Sequence, residues 1–142
     1  MPLKEINSNI DYNGKFDFSQ RIEGHLSGKS IEKNFYNLFK KKLAAKEIFS
    51  KYRDKDTDAS NFINKYKTNL ARSLVIIITT IDPDAIVFGG GVSNEIDFLD
   101  ELKNISAKLL NEQNLKTVFL KPIYGDASGV RGAALLGRQN LI

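Results

Sequence analysis

Asp82-Pro83-Asp84-Ala85-Ile86-Val87-Phe88-Gly89-Gly90-Gly91-Val92-Ser93-Asn94 is the segment from which the architecture of this chain can be read. Ala85 to Phe88 is a short, apolar, β-branched run, read as a strand buried on both faces. Three glycines follow at once. Without Cβ atoms, the backbone there adopts positive φ freely and can lie close against another group. Ser93 or Asn94 then caps a helix carrying Phe98, Leu99, Leu102, Ile105, Leu109 and Leu110. The free N–H groups of a helix start favour an anion. Glu95, Asp97, Asp100 and Glu101 crowd this one, so adenosine or ribose contact fits the loop better than phosphate. A tight strand-to-helix turn with no ligand accounts for the same residues. Neither G-x-G-x-x-G nor G-K-[ST] is present.

Downstream, Thr117-Val118-Phe119-Leu120 reads as a second buried strand, stopped by Pro122. Gly125 to Gly129 is a turn, and a small-residue helix spans about 129–138. Strand, helix, strand, helix in this order predicts an α/β fold with a right-handed crossover between parallel strands. Asp126 or Ser128 caps the last helix and Arg131 pairs locally with Asp126, or the loop Gly125–Gly132 touches a ligand.

Upstream, Phe62, Tyr66, Leu70, Leu74, Ile77 and Ile81 trace one face of a long helix, about 59–81, capped by Thr57 or Asp58 and ended by Pro83. Leu74 to Ile78 is apolar all round and predicts burial on several sides. Ile31, Phe35, Leu38 and Phe39 place another helix from Ser27. Lys40-Lys41-Lys42 then suits the negative end of its dipole as a solvated helix end. A short helix is expected over 44–52. Residues 1–21, with a turn at Asp11-Tyr12-Asn13-Gly14, show no sustained period and read as irregular.

The composition bounds the rest. The 142 residues give one domain by size, and 42% hydrophobic content is ordinary for a globular chain. Net charge is +4, of which residues 1–60 carry +3 (12 basic, 9 acidic). This spread-out excess gives no concentrated basic face, so no nucleic-acid partner is expected. Cysteine is absent and there is one histidine. No thiolate metal site or disulfide can form, and His25 alone makes no zinc site. Leu74–Ile78 is far short of the ~20 residues of a membrane span. A cytoplasmic protein without membrane contact is expected.

Two strands leave open edges and make no stable sheet alone. Strands from elsewhere are expected to complete this one.

The segment 82–94 closely resembles the adenosine-side loop of ROK sugar kinases. Gly125 to Gly132 with Ala133-Ala134 resembles the last loop and helix of that family, in the same order and at the same spacing. Leu70-Ala71-Arg72-Ser73-Leu74 within the long helix agrees with it. Ile22-Glu23-Gly24-His25-Leu26-Ser27-Gly28 resembles its I-E-x-x-x-S-G segment, and Pro2-Leu3 the residues after its E-x-G-H-N sugar motif. The fructokinase, mannokinase and N-acetylglucosamine kinase group is most similar.

The resemblance implies a helix-rich, partial actin-like (ribonuclease H-like) ATPase lobe with a reduced sheet. Residues 22–142 would form the C-terminal lobe, and 1–21 would stand in place of the zinc loop. Gly89, Gly90, Gly91, Ser93 and Gly129 would contact the nucleotide, and Glu23 the sugar hydroxyls. The intact family uses ATP with Mg. The family's C-x-C-G-x-x-G-C zinc segment has no counterpart here, so no zinc is expected. The D-x-G-G-T phosphate turn, the catalytic aspartate, the second phosphate loop and E-x-G-H are missing from the sequence as well. No catalytic residue is therefore assigned, and the chain is expected to be inactive by itself. A homodimer or a complementary N-terminal kinase chain is the expected partner. The sensor part of a ROK-type repressor and a non-catalytic interaction module are the competing readings. The sugar is not legible.

Overall fold

A computed structural model describes residues 26–139. The expectations for residues 1–21, for Glu23 and for His25 lie outside the described residues. The elements are α1 (Gly28–Phe39), α2 (Ala45–Arg53), α3 (Thr57–Ile81), β1 (Ala85–Val87), α4 (Leu99–Leu110), β2 (Val118–Leu120) and α5 (Ser128–Gln139). Short 3-10 turns lie at Gly91–Asn94 and Gly125–Ala127.

The helices begin where local donors are satisfied. Ser27 caps α1 by accepting from the Ser30 N–H at 3.3 Å. Ala44, before α2, has no side-chain acceptor. There Glu47 accepts from the Ala44 N–H at 2.7 Å, and Glu32 of α1 accepts from the Ala45 N–H at 3.0 Å. Two donors that a helix start leaves unpaired are thereby satisfied, one of them across to a neighbouring helix. Asp56 caps α3 through the Ala59 N–H at 3.0 Å, one residue earlier than the sequence indicated. That bond, first among the causes, holds the Asp56 carboxyl below the usual carboxylate range. Asp58 instead accepts from Lys41 at 2.7 Å.

Helix ends differ from expectation at α1. Lys40 turns left-handed (φ 56°) and closes the helix onto the Tyr36 carbonyl. The lysine run therefore lies beyond the last turn, and Leu38 faces solvent. At the end of α3, Asp82 is also left-handed (φ 50°) and Pro83 prevents continuation.

The core is built on α3, about 37 Å long for its 25 residues. Its Phe62, Ile63, Tyr66, Leu70, Ala71, Leu74 and Ile78 are buried. Ile31 and Phe35 of α1, Ile48 and Phe49 of α2, and Leu102 of α4 pack around them in one cluster. Phe35 meets Phe62 edge-on at 5.3 Å between ring centroids, and Phe49 meets Tyr66 at 6.1 Å. Such edge-to-face pairs add about 0.5–1.5 kcal/mol beyond their burial. The far end of α3 is not covered all round. Ile76 and Ile81 are exposed, and Ile77 is only half-buried.

β1 and β2 pair in parallel, with Ala85 opposite Val118, Ile86 opposite Phe119 and Val87 opposite Leu120. The expected parallel pairing across a helical crossover is present. Burial on both faces is not: Val87 is 58% exposed, Val118 46% and Leu120 44%. The strands alternate, with Ile86 and Phe119 turned to the core and Ala85, Val87, Val118 and Leu120 on the open face.

Candidate functional site

The glycine loop enters a different element from the one expected. Gly90 sits at φ 86°, ψ 172°, a region essentially restricted to glycine, and Gly91–Asn94 forms a 3-10 turn. The α-helix starts only at Leu99, with Phe98 before it making no side-chain cap. Ser93 is therefore not a helix cap. It is buried, and its hydroxyl donates to the Gly90 carbonyl at 2.6 Å while its N–H reaches the same oxygen at 3.0 Å. Both bonds fix the shape of the glycine turn.

Three segments singled out in the sequence meet here. A Cβ at Gly28 would stand 3.5 Å from Val92 Cγ2, so the start of α1 touches the glycine loop on one side. A Cβ at Gly125 (φ 53°) would stand 3.5 Å from Asn94 Oδ1, so the last loop touches it as well. Just before these contacts, Gly89, Gly90 and Gly91 have nothing within 4 Å of where a side chain would begin, and the same holds at Gly129. The loop therefore presents bare backbone to open space. Arg131 stacks on the Tyr124 ring at 3.9 Å.

Three of the four carboxylates after this loop have a cation beside them, which the sequence did not reveal. Arg53, at the end of α2, donates from one guanidinium nitrogen to Glu95 at 3.0 Å and stands 4.0 Å from Asp97 with the other. Lys67 of α3 is only 2% exposed. It donates to Glu101 at 2.6 Å and to the Tyr52 hydroxyl, and lies over the Tyr52 and Phe98 rings at 4.7 and 4.6 Å. Burial pulls the Lys67 ammonium down, but its bonds to Glu101 and Tyr52 outweigh this and leave it above the usual lysine value. Two cations thus oppose four carboxylates, which reduces the repulsion of a phosphate without removing it. The stronger reason is geometric. No α-helix N-terminus directly follows the glycines, so the row of free N–H groups that cradles a phosphate is not formed there.

Among the described residues, no group of three or more His, Asp or Glu side chains is placed to hold a metal ion. No helix among them is long and apolar enough to cross a membrane. Lys67 and Arg53 were not singled out in the sequence, because their partners lie 34 and 42 residues away.

A family profile described as the ROK family matches residues 19–140. Among curated proteins, the chain is 40% identical over 116 residues to an N-acetyl-D-glucosamine kinase of Mannheimia succiniciproducens. It is 37% identical over 119 residues to one of Histophilus somni. Each match covers 81% of this chain and 38% of the relative, so the chain spans less than two fifths of the length of these proteins. The crystal structure of a ROK hexokinase from Thermus thermophilus superposes with a TM-score of 0.67 at 21% identity, over 78% of this chain and 39% of that one. The fold matches part of that structure, an actin-like fold, and here it is helix-rich with a small two-stranded parallel sheet.

Proposed function

The chain belongs to the ROK family, and we propose that it supplies the adenosine-side lobe of an ATP-dependent sugar kinase. The observation that carries this reading is the meeting of three family-like segments. Gly28 meets Val92 and Gly125 meets Asn94, so all three segments touch at the turn that follows Gly89–Gly91, whose backbone has open space before it. Gly89, Gly91 and Gly129 contact adenosine through the backbone, Gly90 provides the turn, and Ser93 acts through Gly90 by holding its carbonyl. Glu23, four residues before the α1 cap, accepts sugar hydroxyls. N-acetylglucosamine is the first sugar to test, in keeping with the names of the relatives.

Phosphoryl transfer needs a base, a metal–phosphate site and in-line positioning. The D-x-G-G-T turn and the E-x-G-H motif do not occur in these 142 residues. In this proposal a complementary kinase segment supplies those groups, binds Mg with the phosphates and completes the sheet. The open apolar face of Val87, Val118 and Leu120 supports such a partner, because parallel strands are ordinarily covered on both faces.

NMR titration of the 142-residue chain tests the reading. Adenosine should shift the amides of Gly89–Gly91 and Gly129 with an affinity in the millimolar range, roughly 4 kcal/mol. ATP should bind about equally. Gly89→Val should abolish the shifts, since Gly89 has an unstrained φ and its side chain would fill the open space. Gly90→Val is a poorer probe, because positive φ strains any branched residue there. Tight ATP binding that adenosine does not displace would overturn the assignment. So would phosphorylation of N-acetylglucosamine by the pure chain.

A further inference from the structure

We infer that Arg53 is a positioning residue for the glycine loop, working through Glu95 and Asp97 from a separate helix. The inference rests on the nucleotide reading for its ligand, but not for its geometry. From Glu95 to Phe98 the chain alternates. Ile96 and Phe98 are buried, whereas Glu95 and Asp97 turn outward to Arg53. The two apolar residues fix how deep the segment lies. The two ion pairs fix its rotation about its own axis.

That rotation is passed to the loop over a few bonds. The Glu95 N–H donates to the Val92 carbonyl at 3.0 Å, and the Ser93 N–H and hydroxyl both hold the Gly90 carbonyl. Turning Glu95 therefore turns the 3-10 turn and the peptide planes of Gly90 and Gly91. Arginine suits the task because its planar fork presents separate nitrogens to two carboxylates. The Lys67–Glu101 bond anchors the next turn of chain, at the start of α4, so freedom left by the loss of Arg53 falls on the loop.

The arrangement is electrostatic and partly solvated, with the Arg53 side chain 41% exposed. Salt therefore weakens it. Adenosine is uncharged, so a salt dependence of adenosine binding reports the state of the loop and not attraction of the ligand. When only part of the population holds the competent loop, the apparent affinity falls by that fraction.

The experiment uses the full chain with Arg53→Ala, the reversed pair Arg53→Glu with Glu95→Arg, and Lys41→Ala. The last breaks an exposed ion pair with Asp58 elsewhere on the molecule. Amide hydrogen exchange in the free protein is the first readout. Arg53→Ala should speed exchange at Ser93 and Glu95 about fivefold, with little change in α3. The reversed pair should restore most of the protection, and Lys41→Ala should leave it unchanged. Adenosine titration is the second. The dissociation constant should rise about three- to fivefold in Arg53→Ala, and its dependence on sodium chloride should flatten. Unchanged exchange at Ser93 and Glu95 in Arg53→Ala overturns the inference whether or not adenosine binds. Faster exchange without adenosine binding to the wild-type chain upholds the positioning role and overturns the nucleotide reading.

Discussion

The helical block and the sheet are built from similarly apolar sequence, yet one is closed and the other open. Phe35, Ile48, Phe49 and Ile63 have essentially no solvent contact, and each is held by residues of other helices. Val87, Val118 and Leu120 are as apolar and stand half exposed, while Ile123 is 91% exposed. The difference lies in what each element is given to pack against. Helices α1 to α4 supply faces for one another. The sheet receives α4 on one face, and nothing among the described residues covers the other. Stability of this chain thus resides in the helices, and the open face of the sheet is where a partner is proposed to dock.

Truncating the closed side should have the largest effect. Phe49→Ala removes a ring with no exposed surface that touches Tyr66 and Phe98, and should cost about 3–5 kcal/mol in denaturant unfolding. Leu120→Ala, on the open face, should change the monomer by less than about 0.5 kcal/mol. Equal costs would erase the contrast between the two regions.

Association sharpens the contrast from the other side. The wild-type chain should exceed monomer mass by light scattering at micromolar concentration, given its contiguous exposed apolar face. Val118→Asp combined with Leu120→Asp should return it to a monomer with its helical circular dichroism intact. A wild-type chain that is a clean, folded monomer would show that the open face needs no cover.

A smaller effect is expected inside the closed block. Glu101→Gln leaves the buried Lys67 ammonium without its carboxylate and should destabilise by roughly 1–3 kcal/mol. Lys67→Met keeps the stem between the Tyr52 and Phe98 rings and removes the charge, so its cost should be lower. The reverse order would mean that the ammonium's contacts with Tyr52 and Phe98, more than its ion pair with Glu101, stabilise this junction.

A modest effect, also inside the closed block, grows pH-dependent in alkali. Burial pushes the Tyr66 hydroxyl up to about 12 from 10.0. A group whose pKa is raised by folding contributes stability below its unfolded value and loses it as pH rises through the folded one. Lys67, also raised, acts in the same direction. Unfolding free energy should therefore fall between about pH 10 and 12. Tyr66→Phe should lower stability at pH 7 by about 0.5–1.5 kcal/mol through the lost bond to the Leu26 carbonyl, and should flatten the alkaline slope. An unchanged slope would remove Tyr66 from this account.

Much of this was legible in the sequence. The period of Phe62, Tyr66, Leu70 and Leu74 gave the long helix, and Pro83 gave its end, because both signals act within a few residues. Ala85–Phe88 and Thr117–Leu120 read as strands for the same reason, each one residue longer than the strand formed. The resemblance of 82–94 and 125–132 to the ROK family, and the fold that follows from it, likewise rested on contiguous residues in the right order. The helix start after the glycines was misplaced, because Ser93 and Asn94 are good caps in isolation. Here the Ser93 hydroxyl bends back to Gly90 and leaves the α-helix to begin at Leu99.

What the sequence could not supply was whatever depends on residues far apart in the chain. An apolar strand reads the same whether one face or both are covered, so the open face of the sheet was visible only in three dimensions. The carboxylates after the glycine loop read as unopposed until Arg53 and Lys67 were seen beside them. Gly28, Val92, Asn94 and Gly125 approach within van der Waals distance although nearly a hundred residues separate the first from the last. Local bonding rules determine which segments become helix or strand. The pairing of charges and the assembly of the loop cluster are set by packing, which only the folded chain decides.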